Sequence, residues 1–252
     1  MAGTLVGRKA LITGAGQGVG RGIALAVAAQ GAAVALVGRT ESKLIEVAKE
    51  VHELGGRALT IPADVTRPQD IARSVTATVE GLGGLDILVN NAQQTALGSI
   101  LDVEESVLQA CWESGTLAAF RLMRASYPYL RNGGVVINLG SSTSVNPMPV
   151  GRGVYASVKA ATQTLGRVAA AEWGKDGIRV LTVLPASTSP AADAWAQAQP
   201  EEYARSLSNI PLGRLGDPRH DIGDVVAFLC SDAASYMTGT TIALDGGQAF
   251  LR

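Results

Sequence analysis

Seven short apolar runs separated by helical patterns constrain the fold of this chain more tightly than any other feature. The runs are 9–13, 33–37, 58–61, 85–89, 135–139, 179–184 and 241–244. Each is almost continuously apolar, the pattern of a strand buried on both faces; a half-exposed strand would alternate instead. Helical patterns fill the gaps at 41–54, 68–80, 102–130 and 221–230. The plainest case is the stripe Val154, Val158, Ala161, Leu165 and Val168, at spacings of four and three. No linker or repeat interrupts this order. The expectation is an α/β protein: residues 1–252 as a single domain built on one doubly wound (Rossmann) parallel seven-stranded sheet with helices on both faces. Only 186–217 breaks the rhythm, and it reads as a loop region covering the substrate side.

Charge and cysteine usage narrow the function classes. With 21 basic against 22 acidic residues, nothing favours nucleic acid or an anionic membrane surface. Cys111 and Cys230 are the only cysteines, so no disulfide framework and no metal cluster is expected. His52 and His220 lack acidic or cysteine company at metal-ligand spacing. Residues 1–7 do not read as a secretory signal, and the apolar stretch 22–38 is broken at Gln30 and Gly31. A soluble, cytoplasmic protein without a metal is the expectation.

The first run ends in Gly14-Ala15-Gly16-Gln17-Gly18-Val19-Gly20, after which a helix opens and stops at Gly31. Glycines at 14, 18 and 20 let the backbone approach a pyrophosphate and aim a helix N-terminus at its charge. Gln17 and Val19 lie in the same turn. The second run ends Val37-Gly38-Arg39, with glycine where an acid would bond a ribose 2′-hydroxyl and arginine where a 2′-phosphate would be met. NADP(H) is therefore favoured over NAD(H). Asp64 and Val65 close the third run and could meet an adenine edge. Asn90-Asn91-Ala92 closes the fourth and could line the nicotinamide side.

Tyr155 and Lys159 stand four residues apart on the helix of the apolar stripe. That spacing puts them on one face, about 6 Å apart along the axis. A free tyrosine titrates near ~10, and an adjacent cation favours its phenolate, which is what a general acid/base working near neutrality requires. Such a pair also arises by chance on helix surfaces, so its weight comes from its company.

With these features together the chain resembles the short-chain dehydrogenase/reductase family over its whole length. The resemblance rests on residues 13–20, Asp64, Asn90-Asn91-Ala92, a serine after the fifth run, Tyr155/Lys159 and Asp245-Gly246-Gly247. It implies that Tyr155 is the general acid/base, that Lys159 binds the nicotinamide ribose and lowers the tyrosine's pKa, and that a serine hydroxyl bonds the substrate oxygen. The strand register picks Ser141 for that serine; the commonest family spacing picks Ser142. The turn after the sixth run, Pro185 and Thr188, is implied to border the cofactor. Family members are commonly dimers or tetramers, so a homo-oligomer is implied.

The chain departs from the family in three places. Trp112 falls where an asparagine often holds a water of the proton relay, and an indole donates one N–H and accepts nothing. Gln93 replaces a glycine, so a side chain enters near nicotinamide and substrate. Ala186 replaces the glycine of a Pro-Gly turn. Met148 and Trp195, with Gln93, are expected to border the substrate. The resulting expectation is an NADP(H)-dependent oxidoreductase that interconverts a small-molecule secondary alcohol and its ketone. The alternative is a nucleotide-binding member with little or no turnover, its site obstructed by Trp112 and Gln93.

Overall fold

The computed structural model describes residues 3–146 and 151–249. The strands are β1 (Lys9–Thr13), β2 (Ala33–Gly38), β3 (Ala58–Pro62), β4 (Ile87–Asn90), β5 (Val135–Leu139), β6 (Arg179–Pro185) and β7 (Thr241–Leu244). They form one sheet in the order β3-β2-β1-β4-β5-β6-β7, with every pairing parallel. The order reverses between β1 and β4, and an open α/β sheet holds its ligand at the carboxyl ends of such a pair.

Successive residues of each strand point to opposite faces, and each face is covered, which is why the runs read as continuously apolar. Ile12, Val34, Leu36, Ile87, Val89 and Ile137 belong to one buried cluster, with Ile23 and Val226 from the helices above them. Leu11, Ala35, Val37, Leu88 and Val136 belong to the other, with Ile71, Val75 and Leu122. The helices are α1 (Gly18–Ala29), α2 (Glu41–Glu53), α3 (Pro68–Leu82), α4 (Glu105–Trp112), α5 (Ala118–Leu130) and α6 (Gly153–Trp173). After β6 come α7 (Pro190–Ala198), α8 (Pro200–Ser208) and α9 (Asp224–Cys230).

Two features differ from the sequence reading. The stretch 186–217 is not a plain loop but carries α7 and α8. Both helices open with a proline at the first turn, and the Ser189 hydroxyl caps α7 by accepting from the Ala192 N–H. The single helix expected over 102–130 is α4 and α5 joined by a π-helical turn, Glu113–Leu117. Among the described residues no helix is long and apolar enough to cross a membrane.

Candidate active site

The glycine turn between β1 and α1 is braced from β4. The Asn91 carboxamide donates to the carbonyls of Thr13 and Gly14 at 2.8 and 3.2 Å, and the Thr13 hydroxyl accepts from the N–H groups of Asn91 and Ala92. Asn91 thus holds the turn rather than offering its NH2 to a ligand. Gly14 and Gly18 have φ of 65° and 54°, in the left-handed region, and a Cβ on Gly20 would lie 2.2 Å from the Gly14 carbonyl oxygen. Helix α1 starts with no side-chain cap and no acid in its first turn, so its N-terminal amides and dipole are open to an anion. Val19 turns its side chain into the core. These features fit the pyrophosphate of a dinucleotide.

Arg39 at the end of β2 is exposed and pairs with no carboxylate among the described residues. At the glycine turn the structure adds a cation that sequence reasoning missed. Lys43 of α2 donates its Nζ to Gln17 Oε1 at 2.5 Å, and its Cβ packs against Gly16. Gln17 brings no charge of its own but holds one at the turn. Asp64 is engaged locally: its carboxylate accepts from the Thr66 N–H and hydroxyl at 2.9 and 2.8 Å. Val65 packs on the core and lines the inner cavity described below.

Tyr155 and Lys159 share one face of α6, with the Lys159 Nζ 5.5 Å from the centre of the phenol ring. Lys159 is buried, donates to the Leu139 carbonyl of β5 at 2.6 Å, and has its pKa pushed down to about 8 by that burial. Tyr155 packs with Ala96, Cys111, Val154 and Val158. Burial pushes its pKa up to about 12, against the smaller lowering effects of the Ser141 hydroxyl and of Arg152. The expected lowering by Lys159 is therefore not what the chain alone delivers. Desolvation of the phenol outweighs the neighbouring charges, and Tyr155 is held protonated.

The two serines separate cleanly. Ser141 acts on the Tyr155 phenol and lies within 2.9 Å of the Thr143 hydroxyl. Ser142 is buried and donates to Asp245 Oδ2 at 2.6 Å. The start of α7 overhangs the glycine turn: a Cβ on Gly18 would lie 3.8 Å from that of Ser189. Pro185 pairs with Leu244, and the Thr188 N–H donates to the Gly216 carbonyl. Trp195 stacks edge-on to Tyr203, 5.3 Å between centroids, joining α7 to α8. Met148 lies outside the described residues.

A family model described as enoyl-(acyl carrier protein) reductase matches residues 14–249. A 12α-hydroxysteroid dehydrogenase of a Clostridium species is 38% identical over 256 residues, 98% of each chain. The chain belongs to the short-chain dehydrogenase/reductase family. Among solved members of the short-chain family, L-sorbose reductase from Gluconobacter frateurii, complexed with NADPH and L-sorbose, superposes with a TM-score of 0.92 at 30% identity over the whole of both chains. A 7α-hydroxysteroid dehydrogenase complexed with NADH and 7-oxoglycochenodeoxycholic acid gives 0.90 at 31%, covering 97% of this chain and 95% of the other.

Against that family background the departures have definite places. Trp112 is 41% exposed and does not line the inner cavity. Gln93 does enter, but turns toward the long helix, donating its Nε2 to the Cys111 carbonyl at 2.9 Å. Sequence reasoning missed the contacts of Lys43 with Gln17 and of Thr143 with Ser141. Neither residue stands in a motif, and each is placed by a contact across the turn that holds it.

Proposed function

We propose that the protein is an NADP(H)-dependent oxidoreductase that interconverts a secondary alcohol and its ketone. The observation that carries this reading is the convergence of Tyr155, Ser141 and Lys159 at the carboxyl ends of β5 and β4, next to an anion-ready helix start. Residues 14–20 would hold the pyrophosphate, Arg39 and Lys43 the 2′-phosphate, and Asp64 with Val65 the adenine side. The cofactor supplies or accepts a hydride at its nicotinamide ring. Tyr155, protonated by virtue of its burial, donates its proton to the carbonyl oxygen, and Ser141 orients that oxygen through its hydroxyl. Lys159 would hold the ribose of the cofactor and keeps positive charge close to the phenol. In the reverse direction the phenol must first be ionised, so oxidation gains with rising pH. The apolar wall of Ala96, Val103 and Val154 beside the phenol suits an uncharged, cyclic substrate. The names of the two hydroxysteroid dehydrogenases support the same class, and the bound NADPH of the sorbose reductase supports the cofactor.

The test is purified protein with NADPH and a panel of cyclic and acyclic ketones, followed by loss of reduced cofactor. Turnover is expected, with Tyr155→Phe lowering it roughly 10²–10⁴-fold. Cofactor binding without turnover across the panel would leave a nucleotide-binding protein instead. The reading includes assembly with copies of the same chain, supported by exposed Leu108, Trp112 and Phe120 along the long helix. Light scattering that gives the monomer mass would remove that part.

A further inference from the structure

We infer that Gln93 is a positioning residue of this site: its carboxamide stitches the end of β4 to the π-turn and holds one water against the Lys159 ammonium. The inference rests on the reading of Tyr155 and Lys159 just given. It begins with an inner cavity of about 10 Å³ lined by Asn90, Gln93, Gly115, Leu139, Lys159 and Thr162, among others. That volume is enough for about one water, provided the walls supply two to four polar partners.

The walls supply them. Asn90 donates its Nδ2 to Asn138 Oδ1 at 2.8 Å, which leaves its own Oδ1 buried with no donor. A buried acceptor without a partner is costly, and a water is its natural complement. Gln93 spends its Nε2 on the Gln94 and Cys111 carbonyls, at 3.0 and 2.9 Å, while its Oε1 accepts from no group among the described residues. Lys159 uses one N–H on the Leu139 carbonyl, leaving two donors. Two acceptors and a donor thus surround a space of one water's size.

The π-turn explains why a long side chain is held here. A π-turn shifts backbone pairing by one residue. The Cys111 carbonyl at its start takes the Gln93 amide, and the next residue, Gln94, donates its backbone N–H to the Ser114 hydroxyl at 3.0 Å. Gly115 then passes so close that a Cβ would lie 2.3 Å from Gln93 Oε1. The side chain is fixed from three directions. Facing Lys159, α6 presents Tyr155, α4 presents Cys111, β5 the Leu139 carbonyl and β4 Asn90. No carboxylate pairs with it among the described residues, so nothing of opposite charge offsets its burial and its remaining N–H groups can be met only by neutral acceptors.

The test uses Gln93→Met, which keeps length and deletes the carboxamide, and Gln93→Glu, which keeps acceptors and adds a charge. In the cofactor-free protein, the titration of the Lys159 ammonium followed by ¹⁵N NMR is expected to move to lower pH in the first variant and to higher pH in the second. A merely structural role does not give opposite displacements. With NADPH and a ketone, the pH profile of kcat in each variant should be displaced from that of the wild type in the same direction as its Lys159 midpoint, with the KM for NADPH within about twofold of the wild-type value. A Lys159 midpoint unmoved in both variants overturns the inference whether or not ketones are reduced. Should Gln93→Met fail to fold, a midpoint that does not rise in Gln93→Glu overturns it alone. Midpoints that move as expected in a protein that reduces no ketone would sink the proposed activity and leave the placement of Gln93 standing.

Discussion

Ser142 and Asp245 are locked together, the hydroxyl of one donating to the carboxylate of the other at 2.6 Å across a separation of 103 residues. Asp245 Oδ2 also accepts from the Ala249 N–H, and Oδ1 from the Gly247 N–H, so the carboxylate ties β5 to the chain end. Ser142 therefore has its proton committed to a carboxylate, whereas the Ser141 hydroxyl meets only the Thr143 hydroxyl and N–H and the Tyr155 phenol, and on the proposed reading it is the one that faces the carbonyl oxygen. Ser141→Ala is expected to lower kcat about 10²–10³-fold with the fold intact, the size found for a lost donor at a developing oxyanion. Ser142→Ala should keep most of the activity and lose about 1.5–3 kcal/mol of stability, as deleting a hydrogen bond to a charged group does. Steady-state kinetics and urea unfolding of the pair check this; the reverse pattern would hand the role to Ser142.

The cofactor reading makes a second prediction. Arg39 is exposed, and Lys43 reaches the turn through Gln17, so both charges are screened and each contributes modestly. Arg39→Ala should raise the KM for NADPH about tenfold and leave that for NADH within about twofold. Lys43→Gln should do the same to a smaller extent, and both effects should shrink in high salt. Equal losses with NADPH and NADH would mean that neither side chain meets a 2′-phosphate.

Lys159 carries a pH signature in stability. Its pKa is about 8 when folded and the ordinary 10.5 when unfolded. Below about pH 8 both states hold the proton, and the buried charge costs the folded state stability. Between about pH 8 and 10.5 the unfolded chain binds more protons, so stability rises with pH and the penalty, of the order of a few kcal/mol, fades. Lys159→Met removes the charge altogether. Its stability relative to wild type should therefore be greatest at pH 7 and decline toward pH 10, read by urea unfolding at several pH values. The comparison isolates Lys159 from the buried Cys230 thiol, which titrates at about 12 and is common to both proteins. A difference independent of pH over this range would mean that Lys159 binds its proton equally in the folded and unfolded states, its pKa unshifted by burial.

The sheet was legible because strands covered on both faces must be apolar at every position, and seven such runs leave few alternatives. The shared helix face of Tyr155 and Lys159 was legible because their spacing of four residues places them together. What the sequence hid is of three physical kinds. Helices α7 and α8 looked like loop because prolines mark helix starts as readily as breaks. The π-turn at Glu113–Leu117 shifts hydrogen bonds by one residue without changing composition. Ser142, Lys43 and Gln93 owe their roles to partners 103, 26 and 18 residues away, which no local pattern shows.

Gly115 supplies the last prediction. On a helix interior glycine is usually inferior to alanine by about 1 kcal/mol, so Gly115→Ala would ordinarily stabilise. Here an added Cβ would lie 2.3 Å from Gln93 Oε1 and 2.7 Å from both its Nε2 and Val158 Cγ1. The methyl must displace the carboxamide or push α6, and overpacking of that kind costs about 1–3 kcal/mol. The expected result is destabilisation in the wild-type background. Combined with Gln93→Gly, two of the three clashes disappear, and the alanine should cost less than it does alone. The non-additivity measured in the double-mutant cycle reports the contact between positions 93 and 115 directly. Strict additivity would show that the Gln93 side chain points away from the π-turn, and with it the clamp on the Cys111 carbonyl would go.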